Sequence, residues 1–262
     1  MKHRLLKLVA VGVFGVAVVG MGGCDDSTQT SFPANDQDSK PVYMDQSAVN
    51  SAKSAWPHLE EAEQVSIAEN VLTSNYYVIL DGSGSMDSRR CAAGETKMTV
   101  AKKALAVFSK SLPNGANLGM LAFDGNGVSE RLPLGSKNRE AFIESVNQVY
   151  AKSGTPLKKA LTQAFQKLTE QGKRQLGYGE YHMVVVTDGE ASSGEDPKRV
   201  VNDIYQDSPV ILHTIGFCID EEHSLNQPGK AYYKAANNPR ALQSGLDNVL
   251  AELDSFNINE FN

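Results

Sequence analysis

Three short runs of the chain set oxygen-bearing side chains beside glycines: Asp81-Gly82-Ser83-Gly84-Ser85, Gly154-Thr155-Pro156 and Thr187-Asp188-Gly189. Ser83, Ser85 and Thr155 can offer hydroxyl oxygens, and Asp81 and Asp188 add carboxylates. Such oxygens suit a hard cation such as Mg²⁺, which takes six of them in an octahedron and keeps some of its waters. Two carboxylates cannot be gathered in loops cheaply unless a cation or a proton offsets their repulsion. The alternative is that these groups only cap helices, a frequent use of Ser, Thr and Asp at strand-to-helix junctions. Catalytic chemistry is poorly served. His182, His213 and His223 are dispersed, no Cys/His pair has zinc spacing, the serines lack a histidine at a comparable position, and no Gly-Lys-Ser/Thr follows the Gly/Ser loop.

The elements that must position these runs follow from the apolar pattern. Tyr76 to Leu80 is a near-continuous apolar run ending at Asp81, and Met183 to Val186 is another ending at Thr187-Asp188-Gly189. Runs of this kind are strands buried on both faces, as in a parallel sheet covered by helices. Leu118 to Phe123 and Val210 to Phe217 read as further strands, with a short edge strand near Val128 to Leu132 and a last one starting at Tyr232-Tyr233. Val100, Ala104, Val107, Phe108 and Leu112 mark the buried side of one helix, and Leu157, Ala160, Leu161, Ala164, Phe165 and Leu168 that of a second beginning at Pro156. Helices are also expected from Asn138 to about Val149, Val200 to Tyr205 and Leu242 to Leu253. This alternation predicts an α/β domain over 73–256, a Rossmann-like three-layer sandwich with a mostly parallel central sheet. In such a sheet, functional groups gather beyond the carboxyl ends of the strands, where all three polar runs fall.

The residues from about Asn75 to Asp254 resemble the von Willebrand factor A family. Its metal-ion-dependent adhesion site has an Asp-x-Ser-x-Ser motif, a distant Thr and a distant Asp in this order, and all five positions are filled here. The resemblance implies a Mg²⁺-type ion (Mn²⁺ or Ca²⁺ being alternatives) held by Ser83, Ser85 and Thr155, with Asp81 and Asp188 acting largely through bound waters and as hydrogen-bond acceptors. Neutral direct ligands leave the ion much of its charge, so a carboxylate from a protein partner can take the sixth position. It also implies a binding module, not an enzyme; a second reading is a structural or assembly subunit in which the metal only stabilises the fold. Gly82 and Gly84 are expected to let the loop bend back toward the ion. Glu190 reads as a helix-start acid or a selectivity residue, and Asp87 as a solvated loop acid. Between Asp220 and Lys230, where many relatives have a helix, the sequence is short and polar and reads as a loop.

The N-terminus predicts export. Lys2, His3, Arg4 and Lys7 precede an apolar run from Leu8 to Met21, too short for a membrane span. Met21-Gly22-Gly23-Cys24 resembles a bacterial lipobox, with Met where Leu is usual. Residues 1–23 are thus expected to be a signal peptide and Cys24 the lipidated first residue, anchoring a cell-envelope protein that faces the periplasm or exterior; Asp25 leans it to the inner membrane. Residues 24–44 read as a flexible polar tether, and 45–72, with Trp56, Leu59, Val65, Ile67 and Leu72, as an N-terminal helical extension interrupted by Pro57. Net charge is −6; removing the first 23 residues, which hold Lys2, Arg4 and Lys7 and no acid, leaves 22 basic against 31 acidic side chains, or −9. Such a surface excludes nucleic acid as a partner. Cys91 and Cys218 both fall on the carboxyl edge of the expected sheet and could pair in an oxidising compartment. The alternative is two separate thiols, one of them buried.

Overall fold

The computed structural model of the protein describes residues 56–59, 64–152 and 154–251. Strand β1 (Asn75–Asp81) is buried at every position. Its alternate residues feed opposite faces, Tyr76, Val78 and Leu80 into one core and Tyr77 and Ile79 into the other. Five more strands complete the sheet: β2 (Asn117–Asp124), β3 (Gly127–Gly135), β4 (Tyr181–Thr187), β5 (Ile211–Phe217) and β6 (Tyr232–Ala236). Their order is β3-β2-β1-β4-β5-β6, parallel throughout except for β3, which runs antiparallel to β2 at one edge.

Among the described residues, five helices cover the two faces. Helices α1 (Lys97–Ser111), α2 (Arg139–Gln148) and α5 (Pro239–Ala251) close the core that holds Phe108, Phe142 and Leu246. Helices α3 (Leu157–Arg174) and α4 (Lys198–Asp207) close the core that holds Leu161, Leu168 and Ile204. The expected three-layer α/β architecture is therefore present. One position on α1 differs: Val107 is exposed. At about 100° per residue it lies on the flank of a stripe centred on Ala101, Leu105 and Phe108, so spacing by three and four alone overcounts the buried face.

After β1 the chain winds outward to β2 and β3, then returns to place β4 on the other side of β1. At such a switch of winding direction, the loops leaving neighbouring strands diverge and open a crevice at their carboxyl ends. Asp81 ends β1, and Asp188 directly follows β4, so the two flank that crevice.

Of the segment 45–72, residues 56–59 and 64–72 are described, and they form no helix. They pack on the domain in irregular conformation. The Trp56 indole is buried edge-on against Tyr181, with ring centroids 4.8 Å apart. Gly172 of α3 makes room for it, since a Cβ there would come within 2.3 Å of the indole. The backbone of the segment is bonded too: Ala68 N–H donates to the Arg174 carbonyl (2.8 Å), and the Gln175 amide donates to the carbonyls of Val71 (3.1 Å) and Thr73 (2.8 Å). Pro57 removes a donor and the partners lie in the domain, so tertiary contacts override the weak helical spacing. The expected signal peptide, Cys24, the tether and residues 252–256 lie outside the described residues. No helix among the described residues is long and apolar enough to cross a membrane.

Candidate functional site

Four of the five sequence-predicted residues form one hydrogen-bonded cluster at the crevice. Asp81 is wholly buried, and each of its oxygens accepts a bond: Oδ1 from the Ser83 N–H (2.6 Å) and Oδ2 from the Thr187 hydroxyl (2.5 Å). Burial pushes its carboxyl up to about 6; the bonds from Ser83 and Thr187 oppose the rise, and Asp188 adds to it. The Ser83 and Ser85 hydroxyls lie 2.9 Å apart. Asp188 Oδ1 accepts from Ser85 (2.6 Å) and, more loosely, from Ser83 (3.4 Å).

Thr155 joins from the loop before α3. A Cβ built on Gly189 would stand 3.6 Å from the Thr155 hydroxyl and equally 3.6 Å from that of Ser85, so the two oxygens flank the same point. The Thr155 loop is stapled there by Ser192, whose hydroxyl accepts from the Thr155 N–H (2.8 Å) while its own N–H donates to the Thr155 carbonyl (3.0 Å).

The turn at 82–85 explains its glycine by space more than by backbone freedom. Neither Gly82 nor Gly84 is among the residues with positive φ. Gly82 instead approaches β2 so closely that a Cβ would sit 2.6 Å from the Phe123 carbonyl oxygen. Its N–H donates to that oxygen (2.7 Å) and its carbonyl accepts from Lys152 N–H (2.9 Å), which ties the serine turn to β2 and to the loop that carries Thr155.

The capping alternative fails on inspection. Helix α1 is capped by Thr96, which accepts from the Thr99 N–H; α3 begins after Pro156 with no side-chain cap bond; and Ser83, at the start of the 3-10 turn Gly84–Asp87, makes none. The polar groups are spent on one another instead.

Several contributors escaped the sequence reading. Lys97, the first residue of α1, reaches Asp188 Oδ2 with its ammonium at 2.7 Å, and both side chains are buried. His223 is buried beside the cluster: Nδ1 accepts from the Leu225 N–H (3.0 Å), which leaves Nε2 to donate to the Gly189 carbonyl (2.9 Å). Glu190 is neither a helix-start acid nor turned to the cluster; it accepts from the Ser224 N–H (3.0 Å). Together Glu190 and His223 latch the 219–231 loop, which holds neither helix nor strand, onto the site. Asp87 is exposed, as expected of a solvated acid.

Cys91 and Cys218 form a disulfide, with Cα atoms 5.9 Å apart and a sequence separation of 127. It fastens the loop between the 3-10 turn and α1 to the end of β5. Cys218 N–H also donates to the Ala236 carbonyl (2.7 Å), so β6 belongs to the same anchorage.

The donor set fits a hard divalent cation. Three hydroxyls and two carboxylates converge, all oxygen, and only Ser85 of the five is exposed to solvent. Among the described residues there is no group of three or more His, Cys, Asp or Glu able to hold a metal, and most of the side chains gathered here carry hydroxyls.

A doubly wound sheet with hydroxyls and carboxylates gathered at its switch point places the chain among Rossmann-like α/β domains. The family model described as von Willebrand factor type A domain matches residues 75–252, and the chain belongs to that family. It is similar to YwmC of Bacillus subtilis (strain 168), an uncharacterized protein, with 29% identity over 157 residues. That match covers 55% of this chain and 66% of YwmC, just under two thirds of its length. Among solved structures, the fold is like that of a von Willebrand factor type A protein from Catenulispora acidiphila (TM-score 0.56, 22% identity, 69% of this chain and 42% of that one). It is also like that of the pilus adhesin SpaC from Lactobacillus rhamnosus GG (TM-score 0.55, 17% identity, 72% of this chain and 31% of that one).

Proposed function

We propose that the protein is an envelope-anchored binding module that holds a Mg²⁺-type ion at the Asp81, Ser83, Ser85, Thr155 and Asp188 cluster and through it takes a carboxylate of a protein partner. The observation that carries this reading is the convergence of three hydroxyls and two buried carboxylates on one crevice, with a single hydroxyl facing outward. Ser83, Ser85 and Thr155 would hold the ion directly, while Asp81 and Asp188 orient those hydroxyls by accepting from them or from their backbone. When bound, the ion supplies a strong, incompletely neutralised positive charge. Family membership supports an interaction module, and the likeness to a pilus adhesin agrees with adhesion or assembly. We read it as no enzyme, because both nitrogens of His223, the imidazole buried beside the cluster, are engaged and cannot take a serine proton.

Export and anchoring through Cys24 belong to the same proposal, with the disulfide as support, since such bonds persist outside the reducing cytosol. Loss of lipid labelling in a Cys24→Ser variant is the expected result, and labelling that persists would remove the anchor.

Isothermal titration with Mg²⁺ tests the metal. Heat is expected from the native protein, none from Asp81→Ala, and binding about ten-fold weaker from Thr155→Ala; equal binding in all three would end the metal reading. The second reading, an assembly subunit in which no ion bridges partners, is favoured by the Lys97–Asp188 ion pair, which already ties the crevice together. Capture of a partner from an envelope extract separates the two: it vanishes with EDTA on the first and persists on the second.

A further inference from the structure

Lys97 sits where a helix least wants it. It is the first residue of α1, at the positive end of the helix dipole, where an acid would be favoured and a cation is not. Its side chain is 7% exposed, and burying an ammonium is costly unless it is paired. The compensation is Asp188, whose side chain is fully buried and whose Oδ2 lies 2.7 Å away. The backbone fixes the position as well, because Lys97 N–H donates to the Ser88 carbonyl (2.9 Å), at the end of the serine turn. The lysine is thus built into the crevice by the same turn that carries Ser83 and Ser85.

We infer that Lys97 sets the charge of the site so that a divalent ion and an acidic ligand bind in mutual dependence, its ammonium weakening the ion's hold when alone and favouring the carboxylate once the ion is present. This rests on the metal-binding reading above and adds a residue outside the five. The charge count decides it. Asp81 and Asp188 without a lysine would neutralise a divalent ion fully, leaving nothing net for an incoming carboxylate. With Lys97 the cluster carries one negative charge before the ion and one positive charge after it. Asp188 can then turn only Oδ1 toward the hydroxyls, since Oδ2 is held by the ammonium. Ion binding alone is weakened, and the surplus positive charge awaits an anion. By linkage, the carboxylate strengthens the ion's binding by the same factor that the ion strengthens the carboxylate's. Neighbouring unit charges at such distances change a carboxylate's affinity for a proton by about ten-fold or more, and a change of about ten-fold is expected here for the ion.

The experiment titrates Mn²⁺ into metal-stripped full-length protein by calorimetry, with and without acetate as the carboxylate probe, held at one concentration well below saturation. It compares the native chain with Lys97→Met, which removes the charge at similar length, and Lys97→Arg, which keeps it. Without acetate, Lys97→Met is expected to bind Mn²⁺ about ten-fold more tightly than the native chain. Acetate should tighten Mn²⁺ binding in the native chain and in Lys97→Arg but much less in Lys97→Met. A lysine that merely props the fold would give the opposite sign, weaker Mn²⁺ binding in Lys97→Met, and that result overturns the inference. Equal affinities with an equal acetate effect overturn it too while leaving the metal reading intact. No Mn²⁺ binding in any of the proteins removes the metal reading and this inference with it. Binding by Lys97→Met alone supports the inference in its strongest form. Should Lys97→Met not fold by circular dichroism, Lys97→Gln, which keeps a donor to Asp188 but no charge, supplies the same comparison.

Discussion

The two ends of the central sheet both bury polar side chains, and they do so in different ways. At the amino end, Asn75 donates to Gln175 (2.7 Å), Asn117 donates to Asn75 (2.9 Å), and Gln175 secures the 71–73 backbone. Beside them, the rings of Tyr76, His182, His213 and Tyr232 stack across four strands, with His182 Nδ1 and His213 Nε2 3.2 Å apart. These groups are neutral, and burial lowers the pKa of both imidazoles, that of His213 to about 3. At the carboxyl end, Asp188 is paired with the Lys97 ammonium while Asp81 is held by neutral donors alone, so two carboxyl groups face one cation. The neutral end holds the fold; the end with the charge deficit is where a ligand has something to supply.

The largest expected effect tests the carboxyl end as a structure. Replacing both Cys91 and Cys218 with alanine frees a loop of 127 residues, which the chain-entropy model values at about 5 kcal/mol. Urea unfolding should show a loss approaching that figure, and Mg²⁺ affinity should fall with it, because the loop before α1 is released. At the amino end, Trp56→Ala should cost about 3–4 kcal/mol for the lost indole. Here Mg²⁺ affinity should not change, and a joint fall would show that the two ends are not independent.

A pH dependence sharpens the contrast further. The folded pKa of His213 is about 3, below the value near 6.5 expected in the unfolded chain, so the unfolded state takes up the proton first as pH falls. Stability from this group is complete above about pH 6.5 and is lost progressively toward pH 3. Between pH 7 and pH 5 the loss should be about 2 kcal/mol, read as the difference between the native chain and His213→Gln. The smallest effect is local: Thr155→Ala should weaken Mg²⁺ binding about ten-fold, or about 1.4 kcal/mol, and leave the unfolding midpoint of the metal-free protein unchanged. A shift of that midpoint would assign Thr155 to the fold instead of the site.

Much of this was legible in the chain itself, for a physical reason. Strands buried on both faces must be apolar throughout, so the runs before Asp81 and Thr187 announce themselves, and the polar residues that end them stand out. The α/β architecture and the meeting of Asp81, Ser83, Ser85 and Asp188 followed from that. Lys97 was hidden because a lysine at a helix start looks like any solvated charge, and only its burial distinguishes it. Ser192 and His223 act across 37 and 34 residues, from loops that carry no periodicity. Trp56 misled in the other direction: its apolar spacing suggested a helix, whereas its anchor is a gap left by Gly172.

Ser85 is the outermost of the five oxygen donors, with the other four sunk beneath it. On the binding reading proposed above, a partner's acid would meet Ser85 first and would have to reach past it, which favours a narrow projection such as the tip of a hairpin or a chain end. Partners would accordingly be sorted by shape before they are sorted by charge.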